Sequence, residues 1–394
     1  MTEVAIMSAC RTPLGSFGGT LANVSAVELA SIVIREAVER SGIVAEQVDE
    51  VLLGSVLTAG LGQNVARQAA IRAGLPESTV ASTLNNVCGS GLKTLNLAAA
   101  MIRNGDAEIM VVGGTENMSA APYLLEKARF GYRMNDGVLV DSMISDGLTD
   151  VFGQYHMGIT AENVAQKYSI SREEQDAFAF ESQMKAKAAQ EEGRFKEEIV
   201  PVHIKERKRE FDFDQDEYPR HDSSLESLAR LRPAFQKDGT VTAGNSSGIN
   251  DGAAAMVIMS LKKAEELGLR PMAILRAGVS VALDPAIMGM GPYHAASKLM
   301  EKSGLNLDDI DLFELNEAFA SQSIATIREL GIDSGKVNVN GGAIALGHPI
   351  GASGARILVT LLHEMIKREA RYGVAALCIG GGMGVASLLE VPGT

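Results

Sequence analysis

Four residues in this chain have the type and setting for covalent catalysis: Cys88, His348, Cys378 and Asn316. Cys88 lies in Leu84-Asn85-Asn86-Val87-Cys88-Gly89-Ser90-Gly91, between a strand-like stretch and an apolar-striped helix. A thiol at such a turn meets the positive end of the helix dipole, which favours the thiolate and hence a nucleophile. Gly89 and Gly91 would leave room for an incoming acyl group. The rival reading is a small, buried, apolar cysteine. His348 precedes Pro349, which disfavours helical geometry there, and four glycines within 341–351 allow a ligand close. A neutral imidazole on that turn suits a base for a thiol and, once protonated, a donor to an oxyanion. The alternative is a histidine satisfied within its loop, which is how His203, His221, His294 and His363 are read.

Cys378 precedes Ile379-Gly380-Gly381-Gly382 at the end of an apolar run. Ligands of α/β sheets gather beyond the carboxyl ends of strands, so Cys88 and Cys378 are expected at one site, as nucleophile and base. A disulfide between them is the rival. Metal ligation is disfavoured because no C-x-x-C pair exists and Cys10 has an ordinary setting. Asn316 follows Asp311-Leu312-Phe313-Glu314-Leu315, where an asparagine between strand and helix is a good N-cap. No dinucleotide fingerprint or phosphate loop is present.

The elements that position these residues are written twice. Glu39, Ser41, Gly42, Asp49 and Leu53 recur as Glu301, Ser303, Gly304, Asp311 and Leu315 at a shift of 262. Ser90 and Gly91 recur as Ser353 and Gly354 at a shift of 263, and Gly113–Gly114 matches Gly380–Gly381. Such an ordered series points to a duplication, with chance similarity of two α/β segments as the alternative. The mate of Asn316 is Gly54, so only one half keeps the amide. Ser25 with Glu28 reads as a capping box and Gly42 as the stop of that helix. Leu92, Leu95, Ala99 and Ile102 form one helical stripe ended by Gly105; Ile357, Leu358, Leu361, Leu362 and Met365 form another. The runs Ile109–Val112 and Val374–Ile379, the latter taken as the last strand, suit a mostly parallel sheet covered on both faces. Residues 118–248 differ from both halves. They hold one clear helix, begun by Ser171 and Glu174 and striped by Ala177, Phe180, Met184 and Ala188. The division expected is 1–117 plus 249–270, an inserted 118–248, and 271–394.

Composition fits a folded protein of two or three domains: 394 residues, 46% hydrophobic and 22% charged, with net charge −13. That charge argues against non-specific nucleic-acid binding. Glycine, 41 residues, exceeds the usual share of about 7%. Three widely spaced cysteines suit a reducing compartment. With no basic leader at the start, no lipidation box at the end and no spanning segment, a cytoplasmic protein off the membrane is expected.

Taken together, Leu84 to Gly91, Asn316-Glu317-Ala318-Phe319, Gly347-His348-Pro349 and Cys378 to Gly382 resemble the thiolase motifs in family order, with Arg11 to Gly19 resembling the family's start. The resemblance implies a thiolase-like α/β fold, with duplicated halves in αβαβα layers and an inserted loop domain. It implies reversible condensation of two acetyl-CoA to acetoacetyl-CoA and CoA, with no cofactor and no metal. Cys88 would carry the acyl group, His348 would accept its proton, and Cys378 would move the proton at C2 of the second substrate. His348 with Asn316, through a water, would hold the second thioester oxygen. The amides of Cys88 and Gly380 would form the oxyanion hole. Met157 and Met288 would close a short acyl pocket; His156, Arg220, Ala243 and Ser247 would hold coenzyme A, with Phe235 and Phe319 by its pantetheine and Ala318 also among the substrate-binding residues. Positive charge for its phosphates is sought at Lys205 to Arg209 and Arg220. Ser246 stands where biosynthetic members more often have alanine. A homotetramer helped by the 119–141 loop is implied. The readings kept beside this one are a broader-chain 3-ketoacyl-CoA thiolase, a decarboxylating β-ketoacyl synthase and a non-catalytic lipid-binding relative.

Overall fold

The computed structural model describes residues 2–205, 207 and 209–393. Its first half supplies strands β1 (Val4–Arg11), β2 (Glu50–Gly54), β3 (Val80–Leu84), β4 (Ile109–Asn117) and β5 (Asn250–Ser260). The second half supplies β6 (Ala273–Ala282), β7 (Leu312–Leu315), β8 (Tyr372–Ile379) and β9 (Met383–Glu390). They join in the order β7-β8-β9-β6-β1-β5-β4-β2-β3. Outward from the β1–β6 junction, β1-β5-β4-β2 mirrors β6-β9-β8-β7, as a duplicated chain related by a pseudo-twofold axis requires. Even the irregularities match: β1 slips register at Met7 and β6 at Arg276.

The sheet is mixed rather than mostly parallel. Only β2–β3, β2–β4 and β7–β8 pair in parallel, while β1–β5, β1–β6, β4–β5, β6–β9 and β8–β9 are antiparallel. A continuous apolar run reports that both faces of a strand are covered; it does not report direction. Nor is β8 the last strand. Gly381 and Gly382, at φ 85° and 81°, turn the chain back into β9.

Helix α1 (Ala26–Ser41) starts where the Ser25 hydroxyl accepts the Glu28 N–H and stops at Gly42, φ 78°. Helix α2 (Ser90–Asn104) buries Leu92, Leu95, Ala99 and Ile102. The inserted region contributes α3 (Met157–Lys167) and α4 (Arg172–Glu191), and the second half contributes α5 (Ala320–Leu330) and α6 (Ile350–Lys367). The repeat mates α2 and α6 pack on each other and on strands of both halves. Their glycines allow it: a Cβ on Gly91 would lie 2.7 Å from the Ala355 amide nitrogen, and one on Gly354 would lie 2.3 Å from that of Leu92. A Cβ on Gly89 would meet Ile379 at 2.4 Å. These glycines therefore serve element packing, not entry of an acyl group.

Helix α4 turns a different face inward from the one its apolar stripe suggests. Ala177 and Ala188 are exposed, while Gln175, Asp176, Ala179, Ser182, Gln183, Ala186 and Ala189 are buried. Hydrogen bonds decide this. Asp176 accepts from Arg172 and from Asn245, Ser182 donates to Glu317 at 2.7 Å, and the Gln183 amide donates to the Ile344 carbonyl. Partnered polar groups can be buried, and here they clamp the inserted region onto the loops that carry Asn316 and His348.

Candidate active site

Cys88 sits on a strained turn between β3 and α2. Val87, a β-branched residue, is held at φ 48°, a conformation that costs about 1–3 kcal/mol. The turn is over-determined by hydrogen bonds: Asn85 Oδ1 accepts the Val87 N–H at 2.9 Å, Ser90 Oγ accepts the Asn86 N–H at 2.8 Å, and the Ser90 hydroxyl donates to the Val87 carbonyl at 2.6 Å. Cys88 is half-buried, and the backbone N–H groups of Gly380 and of Cys88 itself favour its thiolate. Burial, aided by the charge of Glu116, still pushes the thiol up to about 11. The helix terminus does not deliver a resting thiolate, as the sequence suggested; desolvation outweighs it.

His348 lies on the turn into α6 and is buried. Its backbone N–H donates to Asn250 Oδ1 at 2.9 Å, and its Nδ1 is 2.6 Å from Ser353 Oγ. Nε2 is buried with no partner. Burial first, and the charge of Arg356 second, lower the imidazole to about 3, so the ring is neutral near pH 7. Asn316 follows β7 directly. It is not an N-cap, since α5 begins only at Ala320 after Phe319. Both polar atoms of its side chain are buried and unpartnered. Buried polar atoms without partners are costly, and their clustering marks a place for a ligand or water. Glu317 fixes the same loop, accepting from Ser182, from Asn338 Nδ2 at 2.9 Å and from the Ile344 N–H at 3.2 Å.

Cys88 and His348 line a cleft of about 930 Å³ together with His156, Met157, Arg220, Phe235, Ala243, Ser247, Met288, Ala318 and Phe319. His156 caps α3 by accepting the Gly158 N–H on Nδ1 and stacks on Phe235 at 4.6 Å; burial lowers its pKa. Phe235 meets Phe319 edge-on at 6.2 Å. Cys378 and Gly380 are not among the residues that line the cleft. Cys378 is fully buried among Met157, Met288, Ala318 and Phe319. Burial first, and a charge on Cys88 second, hold its thiol well above the ordinary range. Of the basic residues sought for phosphate, Arg220 lines the cleft. Lys205 pairs with Glu210, Arg209 lies over the Phe211 ring, and neither they nor Arg207 lines it. Lys208 lies outside the described residues.

The chain matches the thiolase N-terminal domain over residues 4–262 and the thiolase C-terminal domain over residues 269–391. It belongs to the thiolase family. It is 60% identical over 390 residues to the acetyl-CoA acetyltransferase of Pseudomonas aeruginosa, covering 99% of each chain. Identity to the acetyl-CoA acetyltransferase of Chromobacterium violaceum is 59% over 391 residues, 99% of this chain and 100% of that one. The crystal structure of the Bacillus anthracis acetyl-CoA acetyltransferase superposes with a TM-score of 0.98 at 47% identity, covering 99% of each chain.

Sequence reasoning missed the supports of this thiolase site. Asn250 and Ser353 hold His348. Glu116 accepts N–H bonds from Val56, Leu57 and Gly351, tying the loop after β2 to the start of α6. Of these, only Ser353 left a signal, as the repeat mate of Ser90. The apolar wall of Met118, Leu148, Ile249 and Ile350 was also missed, because single apolar residues in scattered loops carry no pattern.

Proposed function

We propose that this thiolase catalyses the reversible Claisen condensation of two acetyl-CoA to acetoacetyl-CoA and CoA, through an acetyl-Cys88 intermediate. The observation that carries the reading is one cleft lined by both Cys88 and His348, with the Nε2 of His348 buried and unpartnered. The names of the full-length relatives support the substrate.

In the first half-reaction the Cys88 sulfur bonds to the thioester carbon while its proton passes to His348 Nε2. The resting proton lies firmly on sulfur, so it moves as the C–S bond forms. The N–H groups of Cys88 and Gly380 hold the oxyanion, a role worth about 3–4 kcal/mol for one donor. The carbon–sulfur bond to CoA breaks, and the departing thiolate takes the Cys378 proton. In the second half-reaction the Cys378 thiolate removes a C2 proton from the next acetyl-CoA. Charge moves onto its thioester oxygen, held by the His348 imidazolium and, through a water, by Asn316. The carbanion attacks acetyl-Cys88. The released Cys88 thiolate regains its proton from His348, so all protons balance.

Met157 and Met288, buried beside Cys378, would limit the acyl group to about two carbons, and Arg220 would serve a coenzyme A phosphate. We also propose the division 1–117 plus 249–270, 118–248 and 271–394; the mirrored strand order supports the first and last parts. A cytoplasmic setting is supported by three free cysteines. Among the described residues no helix is long and apolar enough to cross a membrane. A homotetramer is supported by the apolar surface of the 119–141 loop.

Initial thiolysis rates along a 3-ketoacyl-CoA chain-length series test the reading. Acetoacetyl-CoA should be cleaved well ahead of longer substrates, and equal rates would sink the short-chain assignment.

A further inference from the structure

The duplication places a serine at the start of each of the paired helices, Ser90 as the first residue of α2 and Ser353 in the first turn of α6. The direction of bonding at Ser90 is unambiguous. A backbone N–H only donates, so Ser90 Oγ accepts from Asn86 at 2.8 Å, and its own proton goes to the Val87 carbonyl at 2.6 Å. Ser353 bonds one residue further back: its hydroxyl donates to the Pro349 carbonyl at 2.8 Å, whereas the repeat mate of Val87 is Ile350. The mate of Asn86, however, is Pro349, which has no N–H. The acceptor lone pair filled by backbone in the first half is therefore empty in the second. His348 Nδ1 occupies that place, 2.6 Å from Ser353 Oγ.

We propose that Ser353 is the positioning residue that holds His348 in the tautomer with its proton on Nδ1, leaving Nε2 bare as the acceptor. With the Ser353 proton donated to the Pro349 carbonyl at 2.8 Å, the hydroxyl oxygen accepts from the ring and Nδ1 carries the hydrogen; donation to Nδ1 instead is the alternative the test decides. The unpartnered nitrogen is Nε2, as this assignment requires. One substitution between repeats, a proline for an asparagine, thus turns a loop-fixing serine into a device that sets the polarity of the base. The inference rests on the proposed role of His348 as acceptor of the Cys88 proton.

Selective ¹⁵N-histidine labelling of the full-length enzyme tests it. Long-range proton–nitrogen correlation distinguishes the tautomers, with the His348→Gln spectrum assigning the resonance. The wild type should show protonated Nδ1 and bare Nε2; a ring protonated on Nε2 overturns the proposal. Ser353→Ala should lose that signature and slow the burst of Cys88 acetylation by roughly tenfold to a hundredfold, as orienting partners of reactive histidines do. Acetylation at the wild-type rate overturns the proposal. Pro349→Ala, which restores a competing N–H, should give mixed tautomers, and an unchanged single tautomer counts against it. A wild type that forms no acetyl-Cys88 overturns instead the underlying reading of the site.

Discussion

At rest, the Cys88–His348 pair keeps its proton on sulfur. The thiol is pushed up to about 11 and the imidazole down to about 3, both chiefly by burial. Two predictions belong here. Cys88→Ala should abolish the acetyl adduct seen by intact-mass spectrometry after incubation with acetyl-CoA; persistence of the adduct would place the nucleophile elsewhere. Alkylation of the unliganded enzyme at Cys88 by iodoacetamide should be slow near neutrality and rise about tenfold per pH unit between about pH 6 and about pH 9. The sign follows from the raised pKa: thiolate is scarce below it and grows with pH. A rate already level across that window would mean a resting thiolate. The residue types were legible in sequence, because Cys88 and His348 stand in glycine-marked turns and Cys378 stands just before one. Their protonation was not, because desolvation depends on everything packed around them.

The elements explain why these turns are rigid. Helices α2 and α6 touch backbone to backbone through Gly91 and Gly354, fixing the Cys88 turn against the His348 turn. Gly354→Ala would place a methyl 2.3 Å from the Leu92 amide nitrogen. Overpacking of this kind costs about 1–3 kcal/mol or more. Thermal unfolding should show a clear loss of Tm, with acetylation slowed as the two turns part; an unchanged Tm would refute the close approach. The stripes of α2 and α6 were readable because their buried apolar residues recur at helical spacing. The inward face of α4 was not, since Gln175, Asp176, Ser182 and Gln183 are buried by virtue of partners far away in the chain.

For the whole molecule, the sheet order makes one cleft from two copies of a half. The inserted region supplies His156, Met157, Arg220 and Phe235 to that cleft, and it also carries an apolar surface. Phe130 is 89% exposed and Met134 86% exposed, next to Val138 and Leu139. A contiguous exposed apolar patch of this kind marks an interaction surface. If the proposed homotetramer uses this loop, replacing Phe130 and Met134 together by serine should shift sedimentation velocity to a smaller species while the fold, followed by circular dichroism, is retained. An unchanged sedimentation coefficient would remove this loop from the assembly.

The sequence by itself determined the duplication and the helical stripes and pointed to the candidate reactive groups, because these follow from local periodicity and from side-chain chemistry. Only the tertiary structure decided strand direction, the buried polar face of α4, the resting protonation of Cys88 and His348, and the pairing of His348 with Ser353. Each of these depends on which distant groups share a low-dielectric interior, and no local pattern in the chain encodes that company.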